Sequence, residues 1–252
     1  MARSYLSTSQ IARAVGVHPN TVRLYEAWGF LATAPRSPSG YRRFSPAHLE
    51  QMRLARLAMR FTWLGGEVRR TARTLIFQGA RDDLGGALES AYHLQVLIET
   101  ERTQAEAAAQ YLERWAQGRA ADATQQELHI GQAARLLEVS ADRLRNWERN
   151  GLIRVPRRPR NGYRLYGAGQ IGRLRVIRTL CSARYSLMAI LRMLQGLDQG
   201  ESQDLRQALD TPRPDEDVLY VTDRWLTTLA ELQDSCKQLV ALIEEIIQAR
   251  RS

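Results

Sequence analysis

Displaced by 122 residues against itself, this 252-residue chain meets a second copy of part of its own sequence, and no other feature limits its fold as much. Gln10-Ile-Ala-Arg13 falls on Gln132-Ala-Ala-Arg135, while Val17, Arg23, Glu26 and Gly29 fall on Val139, Arg145, Glu148 and Gly151. The register runs on without a gap through Arg36 on Arg158 and Gly40-Tyr41-Arg42 on Gly162-Tyr163-Arg164, then Arg53 and Arg56 on Arg175 and Arg178. Two copies parted by unrelated sequence make a tandem pair, whereas a solenoid needs three or more adjoining units.

Within the first copy, Ser7-Thr-Ser-Gln10 has capping-box spacing, and Ile11, Ala14 and Val15 follow at helical spacing until Gly16 ends the pattern. After that turn, His18-Pro19 offers a helix cap and a first-turn proline. Val22 and Tyr25 then face inward, with Asn20, Thr21 and Arg23 outward, and Gly29 closes the second helix. Two short helices joined by a tight turn form a helix-turn-helix, whose second helix presents its N-terminal side chains to the DNA major groove. The stretch Leu31 to Phe44 holds Pro35, Pro38, Ser39 and Gly40 with Arg36, Arg42 and Arg43, and reads as a basic β-hairpin, a wing. Ser45-Pro46 starts a helix through Met59, and a shorter one is expected from about Gly65 to Leu75. The second copy repeats the order with Ser140 as the recognition-helix cap, Asp142, Arg143, Arg145 and Asn146 exposed, and a wing of Arg154, Arg157, Arg158, Arg160 and Arg164.

Charge follows the same division. Residues 1–75 hold twelve Arg and three acids, residues 129–193 hold fourteen Arg and three acids, and the rest is acidic, so the overall +9 hides two basic blocks. All but one of the 36 basic residues are Arg, the side chain suited to bidentate phosphate and guanine contacts. This pattern fits a polyanion-binding surface kept apart from an assembly surface.

The run Ile11-Ala, Gly16-Val17, Asn20-Thr21-Val22-Arg23-Leu24-Tyr25-Glu26 and Gly29-Phe30-Leu31, followed by Arg36 and Gly40-Tyr41-Arg42-Arg43-Phe44, resembles the N-terminal DNA-binding domain of the MerR family. The resemblance implies recognition-helix DNA contacts from Thr21, Arg23 and Tyr25 and wing contacts to the backbone from Tyr41 and Arg42; the matching positions in the second copy are Arg143, Arg145, Trp147, Tyr163 and Arg164. The candidate DNA-binding set is therefore His18, Asn20, Thr21, Arg23, Tyr25, Arg36, Tyr41, Arg42 and Arg43 in the first copy, and Asp142, Arg143, Arg145, Asn146, Arg158, Arg160, Tyr163 and Arg164 in the second. Glu26 and Glu148 are expected to hold helix or wing in place, since phosphate repels a carboxylate. Tyr25 and Trp147 can also be read as core. The second copy departs from the pattern with Glu138 for the turn glycine, Arg143 for threonine and Trp147 for tyrosine, so the two modules should not read the same bases.

A long helical stretch follows each module. Val218, Trp225, Leu232, Leu239 and Ile246 recur every seven residues, with Leu229, Cys236 and Ile243 between them, which is a coiled-coil seam. A looser version runs through Leu84, Leu88, Ala91, Ile98, Ala105 and Leu112, interrupted near Glu101-Arg102. The resemblance implies an antiparallel coiled coil across a homodimer. The duplication offers an intrachain pseudo-dimer instead, because a helix of about 30 residues is about 45 Å long and a ten-residue connector spans up to about 33 Å. The expected fold class is mainly α: two winged helix-turn-helix modules, each with a small β-hairpin wing and each followed by a long coiled-coil helix. The boundaries are 1–78 and 128–196 for the modules, 82–118 for the first linking helix, 119–127 for the connector and 203–252 for the second linking region.

The function expected is a bacterial, cytoplasmic, nucleoid-associated transcription regulator that distorts promoter double-stranded DNA, with RNA polymerase as a further partner. The runner-up is an architectural DNA-bending protein of the excisionase or nucleoid type. No enzyme is expected, since no Gly-rich nucleotide loop or Ser/His/Asp constellation occurs and the four His (18, 48, 93, 129) are scattered. No metal or cofactor is expected either. Cys181 and Cys236 fall outside the positions at which metal-sensing members of that family place theirs, and both read as packing residues. An effector, if any, would lie between the long helices near Tyr92, Trp115, Tyr220 and Trp225, residues that read more simply as core. No apolar run approaches the length of a membrane span.

Overall fold

The computed structural model describes residues 5–118, 126–200, 204–212 and 221–251, with only the backbone of 221–222. Val218, Tyr220 and most of the connector lie outside the described residues. The chain divides into two compact units, Met1–Thr100 with Glu231–Ser252, and Glu101–Ala230.

In the first unit the caps set the helix ends. Helix α1 (Thr8–Val15) starts where Ser7 Oγ accepts from Gln10 N and Gln10 Oε1 accepts from Ser7 N. It stops at Gly16, φ +64°, whose N–H and that of Val17 return to the carbonyls of Arg13 and Ala12. Helix α2 (Pro19–Ala27) begins with His18 Nδ1 accepting from Asn20 N at 3.2 Å, and Gly29 at φ +73° turns the chain away. Helix α3 (Pro46–Ala58) passes into a 3-10 turn, Met59–Leu64, and then helix α4 (Gly66–Ala80), which runs five residues beyond the expected Leu75. Gly79 permits this, because a Cβ there would stand 3.0 Å from Leu54. Ile11, Val22, Phe44, Met52, Phe61 and Ile76 are fully buried at the centre, each contributing about 1.5–3 kcal/mol. Gln51 ties the layers by accepting from Ala32 N at 3.0 Å and donating to Ala80 O at 3.2 Å.

Helix α5 (Leu84–Ala116) is continuous through Glu101-Arg102, the point at which its apolar repeat falters. Its first part lies antiparallel to the last part of helix α11 (Trp225–Arg251) within this unit. Tyr92 donates to Glu244, Gln233 donates to Glu99, and Arg250 pairs with Asp82 and with Glu50 of α3, so partners rise along one helix as they fall along the other. Every described α11 seam residue is buried, from Trp225 to Ile246. On α5, Leu84 and Leu88 are only half-buried, and Ala87 and Leu94 fill the seam beside Ala91 and Ile98.

The second unit repeats the plan with α6 (Ile130–Leu136), α7 (Ala141–Arg149), α8 (Ala168–Ser182) and α9 (Leu187–Asp198). Glu138 stands where the first copy has Gly16 and keeps the left-handed backbone, φ +49°, with its carboxylate paired to Arg178. Two pieces have no counterpart in the first copy, helix α10 (Leu205–Asp210) and a 3-10 turn, Val221–Arg224. Asp210 accepts from Thr227 N at 3.2 Å and so caps the start of α11, while buried Arg192 donates to Ala208 O and Asp223 O. The later part of α5 packs in this unit: Tyr185 Oη donates to Ala105 O at 3.1 Å, and a Cβ at Gly172 would stand 2.9 Å from the Trp115 indole nitrogen.

The chain is mainly α, but the expected β-hairpins are not there. Among the described residues only isolated antiparallel bridges occur, Leu6 with Phe44 and Arg36 with Arg42, then Leu128 with Tyr166 and Arg157 with Arg164. Pro35 in one loop and Pro156 in the other lack the N–H that the next rung of a ladder would need. The gapless register fails here too. Arg36 bridges Arg42 but Arg157, not Arg158, bridges Arg164, because the prolines of the second copy follow those of the first at 121 residues while the glycine follows at 122.

Candidate nucleic-acid interface

Each module sets its second helix beside an arginine-bearing loop and fastens the two with one carboxylate. In the first, Glu26 near the end of α2 accepts from Arg42 Nε at 2.5 Å and from the Ala34 backbone N–H at 3.0 Å. In the second, Glu148 accepts from Arg164 Nε at 2.6 Å, and Arg157 lies 3.7 Å away. Arg42 and Arg164 are thus half-buried braces between helix and loop, the role expected of their glutamate partners. Arg36 and Arg157 behave alike, each turning a guanidinium toward the carbonyl of the loop glycine, Gly40 or Gly162. Arg157 is the residue that the gapless register passed over. Proline spacing was the signal that could have found it.

On α2, His18 and Asn20 are exposed, Thr21 is half-buried, and exposed Arg23 donates to Asn20 at 3.0 Å. Tyr25 belongs to the core: it is 8% exposed and packs on Trp28 and Phe30, and burial raises its hydroxyl above the usual tyrosine range. Trp147 is buried at the matching place. On α7, exposed Asp142 and Arg145 pair at 2.5 Å, Arg143 lies 5.9 Å from the Trp147 ring, and half-buried Asn146 accepts from Asn150 through its carbonyl. Beside these helices Tyr41 and Tyr163 are prominently exposed, Arg43 stacks 3.9 Å over Tyr5, and Arg158 and Arg160 project from the second loop. The arrangement offers each copy a polar helix face flanked by guanidinium groups, with Glu26 and Glu148 turned inward onto arginines.

Of the residues considered for an effector, Tyr220 lies outside the described residues. Trp225 is fully buried, Tyr92 is exposed and bonded to Glu244, and Trp115 packs on Gly172. In the second unit a groove between α5 and α8 is lined by Ala107, Ala108, Tyr111, Arg178, Thr179 and Ser182. Cys236 is buried in the seam, where burial pushes its thiol up to about 12, and Cys181 is raised to about 11 in the same way. Among the described residues no group of three or more His, Cys, Asp or Glu is placed so that it could hold a metal ion.

Comparison with known proteins bears on both copies. Residues 7–44 match the MerR family regulatory protein model, and residues 128–197 match the MerR HTH family regulatory protein model. A probable heavy metal-dependent transcriptional regulator of Haemophilus influenzae is 36% identical over 67 residues, 27% of this chain and 52% of that protein. A mercuric resistance operon regulatory protein of Bacillus cereus is 31% identical over 77 residues, 31% of this chain and 58% of that protein. The chain therefore spans little more than half the length of these curated relatives. No solved structure matches it. Two separate segments of the chain, one in each copy of the repeat, are thus similar to MerR-family regulatory proteins.

Proposed function

We propose that the protein is a sequence-specific, double-stranded-DNA-binding transcription regulator that grips a promoter with two unequal helix-turn-helix modules. The observation that carries this reading is the Glu–Arg brace, present in both copies, which fixes an arginine-rich loop beside an exposed recognition helix. Asn20, Thr21 and Arg23 on one helix and Asp142, Arg143, Arg145 and Asn146 on the other face bases. Arg36, Tyr41 and Arg43 in the first loop and Tyr163 in the second hold flanking phosphates, and Arg158 and Arg160 reach the DNA from the second tip. Arg42 and Arg164 act chiefly by fixing the loops. His18 caps its helix, and Tyr25 reaches DNA with no more than its hydroxyl.

Intrachain pairing of α5 with α11 makes one polypeptide serve as a pseudo-dimer, a reading supported by the antiparallel pairs around Tyr92 and Glu244. The operator is then asymmetric. By analogy with the family, the modules distort promoter DNA so that RNA polymerase engages it, and phosphate contacts on both flanks offset the cost of bending. The family match favours this over an architectural DNA-bending role. No resident metal or cofactor is part of the reading, and the site of action is the cytoplasmic nucleoid.

Selection from a random duplex library, followed by footprinting and light scattering of the free and bound chain, tests the proposal. The expected result is a footprint with two dissimilar half-sites and one 28.7 kDa chain per duplex. Affinity should fall steeply with salt as counterions are released. A mass twice that value would replace the pseudo-dimer with a homodimer, and absence of any selected sequence would remove the DNA reading. In vitro transcription on a footprinted promoter separates a regulator from a purely architectural protein.

A further inference from the structure

The two arginine loops are fastened alike at the base but differ at the tip. In the first, the tip is Ser37-Pro38-Ser39-Gly40, where Ser37 and Ser39 bond through their hydroxyls at 2.8 Å and Ser37 Oγ accepts from Tyr41 N. It closes with Ser37 N donating to Tyr41 O, carries no charge and spends its polar groups on itself. In the second, the closing bond runs from Arg158 N to Tyr163 O, so the loop holds one residue more. That longer tip is Arg158-Pro159-Arg160-Asn161-Gly162. Asn161 folds back to accept from Tyr163 N, but the side chains of Arg158 and Arg160 are exposed and have no partner among the described residues. Their neighbour Arg157 is already engaged with Gly162 O and Glu148.

A loop anchored at both sides, stiffened by Pro156 and Pro159 and tipped with two uncommitted guanidiniums, suits a narrow, strongly negative groove better than a flat row of phosphates. A narrow minor groove, typical of A/T tracts, concentrates negative potential and attracts inserted arginine. We infer that the second module's loop, and only that loop, reads minor-groove width beside its half-site through Arg158 and Arg160. The inference rests on the DNA-binding reading above and adds an indirect-readout position that the first module lacks.

The test uses the full chain and the R158A/R160A variant in parallel selections from a random duplex library. Anisotropy titrations on the duplex selected by the native chain follow. The native chain should select an A/T run flanking one half-site only, and replacing that run with G/C should weaken its binding roughly five- to thirtyfold, the lower part of the range that one mismatched base pair costs. The variant should keep both sets of base preferences, lose the A/T run and show no response to the G/C replacement. A/T runs on both flanks, or an unchanged flank preference in the variant, would overturn the inference. So would a shallower salt dependence with flank preference intact, which would make the two arginines phosphate anchors only. If the native chain selects no duplex at all, the underlying DNA reading fails with it, and that result differs from every other outcome.

Discussion

Replacing Glu26 by alanine removes two bonds at once, and the size of the loss separates them. The Arg42 pair is a charge-assisted hydrogen bond of a kind that contributes about 1.5–3 kcal/mol. Here Arg42 is 27% exposed, and solvent screening reduces that to about 1 kcal/mol. The second bond comes from the Ala34 N–H, on a residue 4% exposed, and a buried donor left unsatisfied costs about 1–3 kcal/mol. Glu26→Ala should therefore destabilise the first unit by about 2–4 kcal/mol, whereas Glu26→Gln, which still offers a carbonyl to Ala34, should cost about 1 kcal/mol. Glu148→Ala belongs with the smaller loss, because Glu148 takes a second arginine where Glu26 takes a backbone amide. Thermal melting by circular dichroism reads these differences at about 4 °C per kcal/mol for a unit of this size. Amide exchange at Ala34 should accelerate in the alanine variant alone. Equal losses for Glu26→Ala and Glu26→Gln would refute the two-bond account, and no loss in either would refute the brace.

Other substitutions follow from comparing the copies. Tyr166 is fully buried at the place of Phe44, and its hydroxyl has no hydrogen-bond partner among the described residues. Tyr166→Phe should be neutral or stabilising in urea denaturation, and a loss above about 1 kcal/mol would show a partner for the hydroxyl. Gly16→Ala should cost about 1–2 kcal/mol for its left-handed backbone. Glu138→Gly should lie near zero, since relief of the same strain is offset by loss of the Arg178 pair and by added unfolded-state freedom. Burial lowers the pKa of His48, against an opposing pull from the backbone of Ala32 and Thr33. Its neutral form is therefore the one that folds, and its contribution is complete above the unfolded value near 6.5 and falls as pH drops from there toward the folded pKa. His48→Gln copies Gln170, which caps Gly167 in the second module, and should flatten the fall of urea stability below about pH 6.5 while keeping the cap. An unchanged pH slope would assign it to other groups.

Much of the local structure was legible in the chain because its causes lie within four residues of each other. The capping box at Ser7 and Gln10, the His18 cap, the turn at Gly16 and the α11 seam all depend on helical spacing, which sequence displays directly. Contacts across longer separations are not displayed. Arg42 and Arg164 read as phosphate contacts because the glutamate sixteen residues before each is not a sequence neighbour. Tyr25 read as a surface residue and as core alike, and only packing on Phe30 chose between them. The gapless repeat concealed a one-residue shift, because displaced prolines change turn geometry without changing the count between the flanking helices. Sequence by itself determined the duplication, the caps of the early helices and the resemblance of both copies to one family. Tertiary structure alone decided which arginines are held by carboxylates and which, Arg158 and Arg160 foremost, stay available, because that choice depends on where distant parts of the chain meet.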